Sequence, residues 1–166
     1  MRKIMKLVSN YLNGNLHHIS KNSLDVIDPS TGEKIAEVVL SNQEDFNQVV
    51  VSSKSAFNIW SNFTPLKRSR IISKFKELIE KNIDNLAKLV SSEHGKTLED
   101  AKGSVIRGLE VVEFATGIPH LLKGEFSQNV GTSIDSWSIR QPLGVTAVSP
   151  PLIFQLWFQC GCFQSL

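Results

Sequence analysis

Between residues 7 and 40 the apolar positions come in short runs separated by turn residues. Asn13-Gly14 in "YLNGN" is a two-residue turn signal, and "DPSTGE" (28–33) supplies a second turn through Pro29 and Gly32. In the "KIAEVVL" that follows, Ile35, Glu37 and Val39 alternate with Ala36, Val38 and Leu40. The pattern predicts an antiparallel hairpin or meander.

The spacing then becomes helical. Ser41 and Glu44 stand at capping-box distance, and Phe46, Val49, Val50, Phe57 and Trp60 make one apolar stripe. Thr64-Pro65 predicts a second helix, with Thr64 as its cap and Pro65 at its first position. Ile72, Phe75, Leu78 and Ile79 form its stripe, "KNIDN" breaks it, and Leu86, Leu89 and Val90 continue it to Gly95, a residue suited to a left-handed helix end. A third helix starts at capping Thr97, with Leu98, Ala101, Val105, Leu109 and Val112 on one face. Gly103 and Gly108 inside it each cost about 1 kcal/mol relative to Ala, which predicts close packing there. Beyond Pro119 alternation returns in "SIDSWSIRQP", and "LGVTAV" reads as the start of a buried strand.

Charge and composition narrow the function classes. The 166 residues suffice for one domain with a core. Eighteen basic and sixteen acidic residues are interspersed, for a net charge of +2. That leaves no basic stripe for nucleic acid. No apolar run reaches the roughly 18 residues of a membrane span, and the basic start lacks the apolar core of a secretory signal. The expectation is a cytoplasmic protein with no membrane or nucleic-acid partner. Cys160 and Cys162 give at most two metal ligands where structural zinc takes four, and His17 and His18 lie far away in sequence, so no metal site is expected.

Four stretches, "DPSTGE", "AFNIW", "EHGKTLEDAKG" and "RQPLGV", together resemble the N-terminal third of the aldehyde dehydrogenase superfamily in order and spacing. "RGLEVVEFA" (107–115) is most similar to its methylmalonate-semialdehyde dehydrogenase branch. The resemblance implies an α/β fragment: arm strands, three main helices, and strands leading into an incomplete NAD-binding sheet. For the full-length family it implies NAD and coenzyme A as cofactors, with a methylmalonate or malonate semialdehyde oxidised and its acyl group passed to coenzyme A in valine catabolism. It also implies homo-dimers or tetramers assembled partly through antiparallel arms like residues 132–141. Arg107 matches an arginine proposed to read the substrate carboxylate, a task suited to a planar bidentate fork. The bland alternative is an Arg107 that is solvated, or paired with Glu110 three residues on, on the third helix. Glu93, His94 and Lys96 read as a charged helix end, and Arg140 and Gly144 as residues of the strand and turn entering the cofactor domain.

After Ala147 the resemblance stops. Residues 145–166 carry no Lys, Arg, Asp or Glu, yet hold Trp157, three Phe and both cysteines. With synonymous codons chosen for Val148 to Ser165, each last base joined to the next two bases translates as "ITPFNFPAMVPMWMFPV". A segment like its opening follows "RQPLGV" in the family. The expectation is therefore two parts: 1–147, family sequence, and 148–166, an out-of-frame tail. The family's oxyanion-binding Asn would be encoded across Leu152 and Ile153 in the lost frame. Its nucleophilic cysteine and NAD-contacting residues would lie beyond position 166, so no catalytic or cofactor-binding residue is expected here, and no cofactor bound to this fragment. Two other classes remain: a non-enzymatic interaction module retaining the arm strands, and a small metal or redox protein using "CGC".

Overall fold

A computed structural model describes residues 6–147. The out-of-frame tail predicted for 148–166, with Cys160 and Cys162, lies outside them. The first strands are β1 (Lys6–Val8), β2 (Asn10–Leu12), β3 (Asn15–His17), β4 (Ser23–Ile27) and β5 (Lys34–Val39). The turn signals act as expected. Asn13-Gly14 closes an antiparallel β2–β3 pair, and "DPSTGE" closes an antiparallel β4–β5 pair. In the second turn Asp28 accepts the backbone N–H of Ser30 at 2.8 Å, and Gly32 N donates to Asp28 O at 2.8 Å.

The expected meander needs one correction. β1 pairs parallel with the far edge of β5, so the three-stranded sheet has the order β1-β5-β4. Strand periodicity sets which residues share a face, whereas the choice of neighbour is non-local. Both faces of β5 are partly covered: Ala36 and Val39, from opposite faces, are both buried.

Among the described residues the helices are α1 (Gln43–Trp60), α2 (Pro65–Lys81), α3 (Ile83–His94), α4 (Leu98–Thr116) and the short α5 (Ile118–Leu121). Thr64 caps α2 by accepting from Lys67 N, with Pro65 in its first turn. Asn82 separates α2 from α3 where "KNIDN" predicted a break. Gly95 ends α3 at φ 77°, and Thr97 caps α4 by accepting from Asp100 N.

The cap of α1 is displaced by one residue from the Ser41/Glu44 expectation. Asn42 Oδ1 accepts from Glu44 N and Asp45 N at 2.9 and 3.0 Å, and Asp45 Oδ2 accepts Asn42 N at 3.0 Å. Ser41 instead donates to Asn10 Oδ1 at 3.0 Å. An Asp at the third position closes the same reciprocal box as Glu on a shorter stem.

The core lies within the helical layer. Ile72 and Ile79 of α2, Ala87 of α3, Ala101, Val105, Val112 and Ala115 of α4, and Ile118 of α5 form one buried cluster. Alanines at the contacts let the helices approach closely. Ser69 of α2 donates to Thr116 O at 2.6 Å, closing the layer at one end. Lys76–Glu113 and Lys102–Asp84, 2.8 and 2.9 Å apart, cross between helices at the surface, where such pairs contribute little stability.

Several predicted core positions are exposed. Phe46 and Val49 of α1, Leu78 of α2, Leu89 of α3 and Leu98 of α4 all face solvent. Periodicity identifies an apolar face without identifying what covers it, and nothing among the described residues covers these. The close packing expected at both helical glycines holds at one: Gly108 is buried, whereas a Cβ at Gly103 would meet nothing within 4 Å.

After α5, β6 (Phe126–Gly131) and β7 (Ile134–Trp137) form an antiparallel hairpin with nearly every residue exposed. The buried strand expected at "LGVTAV" does not form over 143–147. Leu143 is 86% exposed, and no described strand runs beside it. A strand is made by its neighbours' hydrogen bonds, and that segment has none among the described residues. No described helix is long and apolar enough to cross a membrane.

Candidate functional site

Helix α4 carries the one residue for which the sequence suggested a binding role. Its buried face runs through Ala101, Ser104, Val105, Gly108 and Val112, and Arg107 stands exposed on the other side, near the helix midpoint. An arginine carries a permanently charged, planar set of donors, the form that takes a carboxylate two bonds at a time.

Lys96, in the "EHGKTLEDAKG" run and read above with Glu93 and His94 as a charged helix end, has a structural task. Its ammonium donates to Ser104 Oγ at 2.6 Å and lies 3.0 Å from Asp100 Oδ2. Ser104 in turn donates to Asp100 O at 3.2 Å, and Ser91 donates to Lys96 O at 2.7 Å. The α3–α4 connection is thereby held at both ends, which fixes where α4 starts and so where Arg107 stands. Arg140 is exposed and Gly144 has φ 99°, both in an extended stretch well along the chain from α4.

Sequence reasoning missed Asp45. Its side chain is 2% exposed and accepts from Ile19 N at 2.6 Å, Ser20 N at 3.1 Å and Asn42 N at 3.0 Å. These donors hold its carboxyl below the usual carboxylate range. The Asn42 N–H matters most and the Ile19 N–H next, with Ser20 and the nearby His17 ring adding to them against the opposing effect of burial. An acidic residue in a first helical turn already has a local explanation in the helix dipole. Its partners at Ile19 and Ser20 lie more than twenty residues away and leave no local pattern.

The two histidines do not converge. His18 Nδ1 lies 2.7 Å from Ser9 Oγ, and His17 Nε2 lies 2.7 Å from Gln48 Oε1. No group of three His, Cys, Asp or Glu side chains able to hold a metal occurs among the described residues. Between the β2–β3 turn and α1 runs an open groove of about 660 Å3, floored by Leu12, Val51, Ala56 and Ile59. Its polar rim is internally paired, with Ser52 donating to Asn13 Oδ1 at 2.6 Å.

A nicotinamide dinucleotide takes its pyrophosphate at a helix N-terminus that follows a glycine-rich turn at the edge of a parallel sheet. Among the described residues the only parallel pairing is β1–β5. The side chains of Asn42, Thr64 and Thr97 take first-turn N–H groups of α1, α2 and α4, and α3 follows α2 directly across Asn82, with no glycine-rich turn before it. These residues do not fit that cofactor. They also include no cysteine that could attack a carbonyl.

Comparison with known proteins fixes the lineage. The sequence pattern of the aldehyde dehydrogenase family matches residues 17–152. Malonate-semialdehyde dehydrogenase of Pseudomonas aeruginosa is 44% identical over 156 residues, 87% of this chain and 31% of its own length. The mitochondrial acylating methylmalonate-semialdehyde dehydrogenase of Arabidopsis thaliana is 44% identical over 142 residues, 83% of this chain and 23% of its own. A protein of Sinorhizobium meliloti described as a methylmalonate-semialdehyde dehydrogenase, solved with NAD, superposes with a TM-score of 0.90 at 38% identity, over 96% of this chain and 33% of that one. The chain thus spans about a third or less of the length of these relatives. A family match over most of its residues, on an α/β arrangement shared with solved members, places the chain in the aldehyde dehydrogenase family.

Proposed function

We propose that this chain corresponds to the N-terminal third of an NAD-dependent, coenzyme A-acylating malonate- or methylmalonate-semialdehyde dehydrogenase of the cytoplasm, and that by itself it oxidises no aldehyde. The observation that carries the reading is Arg107, exposed at the middle of α4 in a chain 44% identical to a malonate-semialdehyde dehydrogenase. Malonate semialdehyde differs from a simple aldehyde by its carboxylate, and Arg107 offers the fork that would grip that group. Oxidation by acyl transfer requires a thiolate nucleophile, donors for the oxyanion and a hydride acceptor. Residues 6–147 contain no cysteine to provide that thiolate.

The tail completes the proposal. Residues 148–166 are family codons read in a shifted frame, so Cys160 and Cys162 are products of the shift and attack nothing. A second reading is an interaction module that joins a full-length copy through its arm. It is favoured by the β6–β7 hairpin, which stands exposed on both faces.

Sequencing the gene through and beyond the Val148 codon tests the proposal. The alternate frame should read through "ITPFNFP" and on to a segment with a nucleophilic cysteine, and tail codons incompatible with that segment would overturn the frame-shift reading. The purified chain, given malonate semialdehyde, NAD and coenzyme A, should form no NADH. Turnover by a preparation free of full-length enzyme would overturn the claim of inactivity.

A further inference from the structure

Asn13 and Gly14 form the two-residue turn between β2 and β3, both with left-handed backbone, φ 52° and 81°. Asn13 is exposed, and its side-chain amide carbon is one ring closure away from the backbone nitrogen of Gly14. A side chain at the following residue would crowd that closure. Gly14 has none, and the space where a Cβ would stand holds only the Tyr11 hydroxyl, 3.9 Å away.

Two neighbours polarise the reacting groups. The Ser52 hydroxyl of α1 donates to Asn13 Oδ1 at 2.6 Å, the oxygen on which negative charge develops as a nucleophile adds to the amide carbon. Asn15 Nδ2 donates to the Asn13 backbone carbonyl at 3.3 Å. That carbonyl shares its peptide bond with the Gly14 nitrogen, so the contact makes the Gly14 N–H more acidic.

We propose that Asn13 is a site of spontaneous deamidation through a cyclic imide, assisted by the Ser52 hydroxyl. The Gly14 nitrogen gives up its proton to solvent and bonds to the Asn13 side-chain amide carbon. The bond from that carbon to Nδ2 breaks, and the nitrogen leaves as ammonia with a proton from solvent. Water then adds to either imide carbonyl and opens the ring to aspartate or isoaspartate at position 13. Water is the only co-reactant, and nothing is oxidised or reduced.

Either product sets a carboxylate at the rim of the groove where a neutral amide stood. Isoaspartate also lengthens the backbone of a two-residue turn, which the Leu12–Asn15 register cannot absorb. The hairpin carrying His17 toward Gln48 would then slip or open.

The test follows the tryptic peptide spanning 7–21 by mass spectrometry while the full chain is incubated in neutral buffer. The peptide should become one mass unit heavier at Asn13. Ser52→Ala should slow the gain roughly two- to tenfold, the worth of one net hydrogen bond, and Ser52→Thr should keep the original rate. In concentrated urea, where the Ser52 contact is lost, all three chains should react at one rate. No gain at Asn13 in buffer, or equal rates for the unchanged and Ser52→Ala chains there, overturns the proposal.

Discussion

Asp45 Oδ1 accepts the backbone N–H of Ile19 at 2.6 Å, so the first turn of α1 is tied to the segment between β3 and β4. The same carboxylate closes the α1 capping box through Asn42 N. One buried anion therefore fixes how the hairpin and the first helix meet.

That arrangement predicts an acid-sensitive fold. The Asp45 carboxyl is held below its ordinary value, so the folded chain binds this proton less readily than the unfolded chain. Its stabilising contribution is complete above the unfolded-state value, about 3.9. The contribution is lost as pH falls through the lower folded-state value, because protonation is then coupled to unfolding. Urea midpoints measured from neutral to strongly acidic pH should fall in that acid window. Asp45→Asn should lower the neutral-pH midpoint and flatten the acid limb. An unchanged acid limb in Asp45→Asn would mean that other carboxylates set it.

Two glycine substitutions should act in opposite directions. Gly95 has φ 77°, and a Cβ there would meet Pro29 Cγ at 3.0 Å, so Gly95→Ala should destabilise by roughly 1–2 kcal/mol. Gly103 lies inside α4 with nothing within 4 Å of the added methyl, so Gly103→Ala should stabilise by about 0.5–1 kcal/mol. Denaturant midpoints of the two variants should move apart from that of the unchanged chain. A shift in the same direction for both would contradict the α3–α4 geometry.

The elements readable from sequence were those set by neighbours along the chain. Thr64 with Pro65, the break at Asn82, Gly95 and Thr97 each need only a few adjacent residues to declare themselves, and each stands where its pattern placed it. The parallel β1–β5 pairing, the exposure of Phe46 and Val49 on α1 and the missing strand at 143–147 depend on distant segments. No local pattern carries that information. Asp45 combines both cases, because its capping spacing was within reach of the sequence whereas its bonds to Ile19 and Ser20 were not.

For Arg107 the discriminating experiment uses a chain extended in the restored frame to the length of its relatives. Arg107→Leu should raise the KM for malonate semialdehyde far more than for an uncharged aldehyde. Loss of a charge-assisted contact should cost about 1.5–3 kcal/mol, roughly ten- to a hundredfold in kcat/KM. Equal losses on both substrates would assign Arg107 a structural role on the exposed side of α4.

The β6–β7 hairpin leads to the last prediction. Phe126, Val130, Ile134 and Trp137 are each between 58% and 69% exposed, and Ile139 just beyond is 56% exposed. A two-stranded ribbon is marginal in water without a packed face, and its outer edges present unpaired backbone groups to other chains. Burying a large apolar side chain contributes roughly 1.5–3 kcal/mol, against about 5–15 kcal/mol for the whole stability of a domain. Self-association through this hairpin is therefore favoured over leaving it bare. The purified chain should sediment above its monomer mass and bind a hydrophobic dye. Phe126→Ser with Trp137→Ser should reduce both signals while leaving the helical circular dichroism of α2–α4 intact, because neither side chain belongs to the helical core. Unchanged association in the double variant would point instead to the exposed faces of α1 to α4.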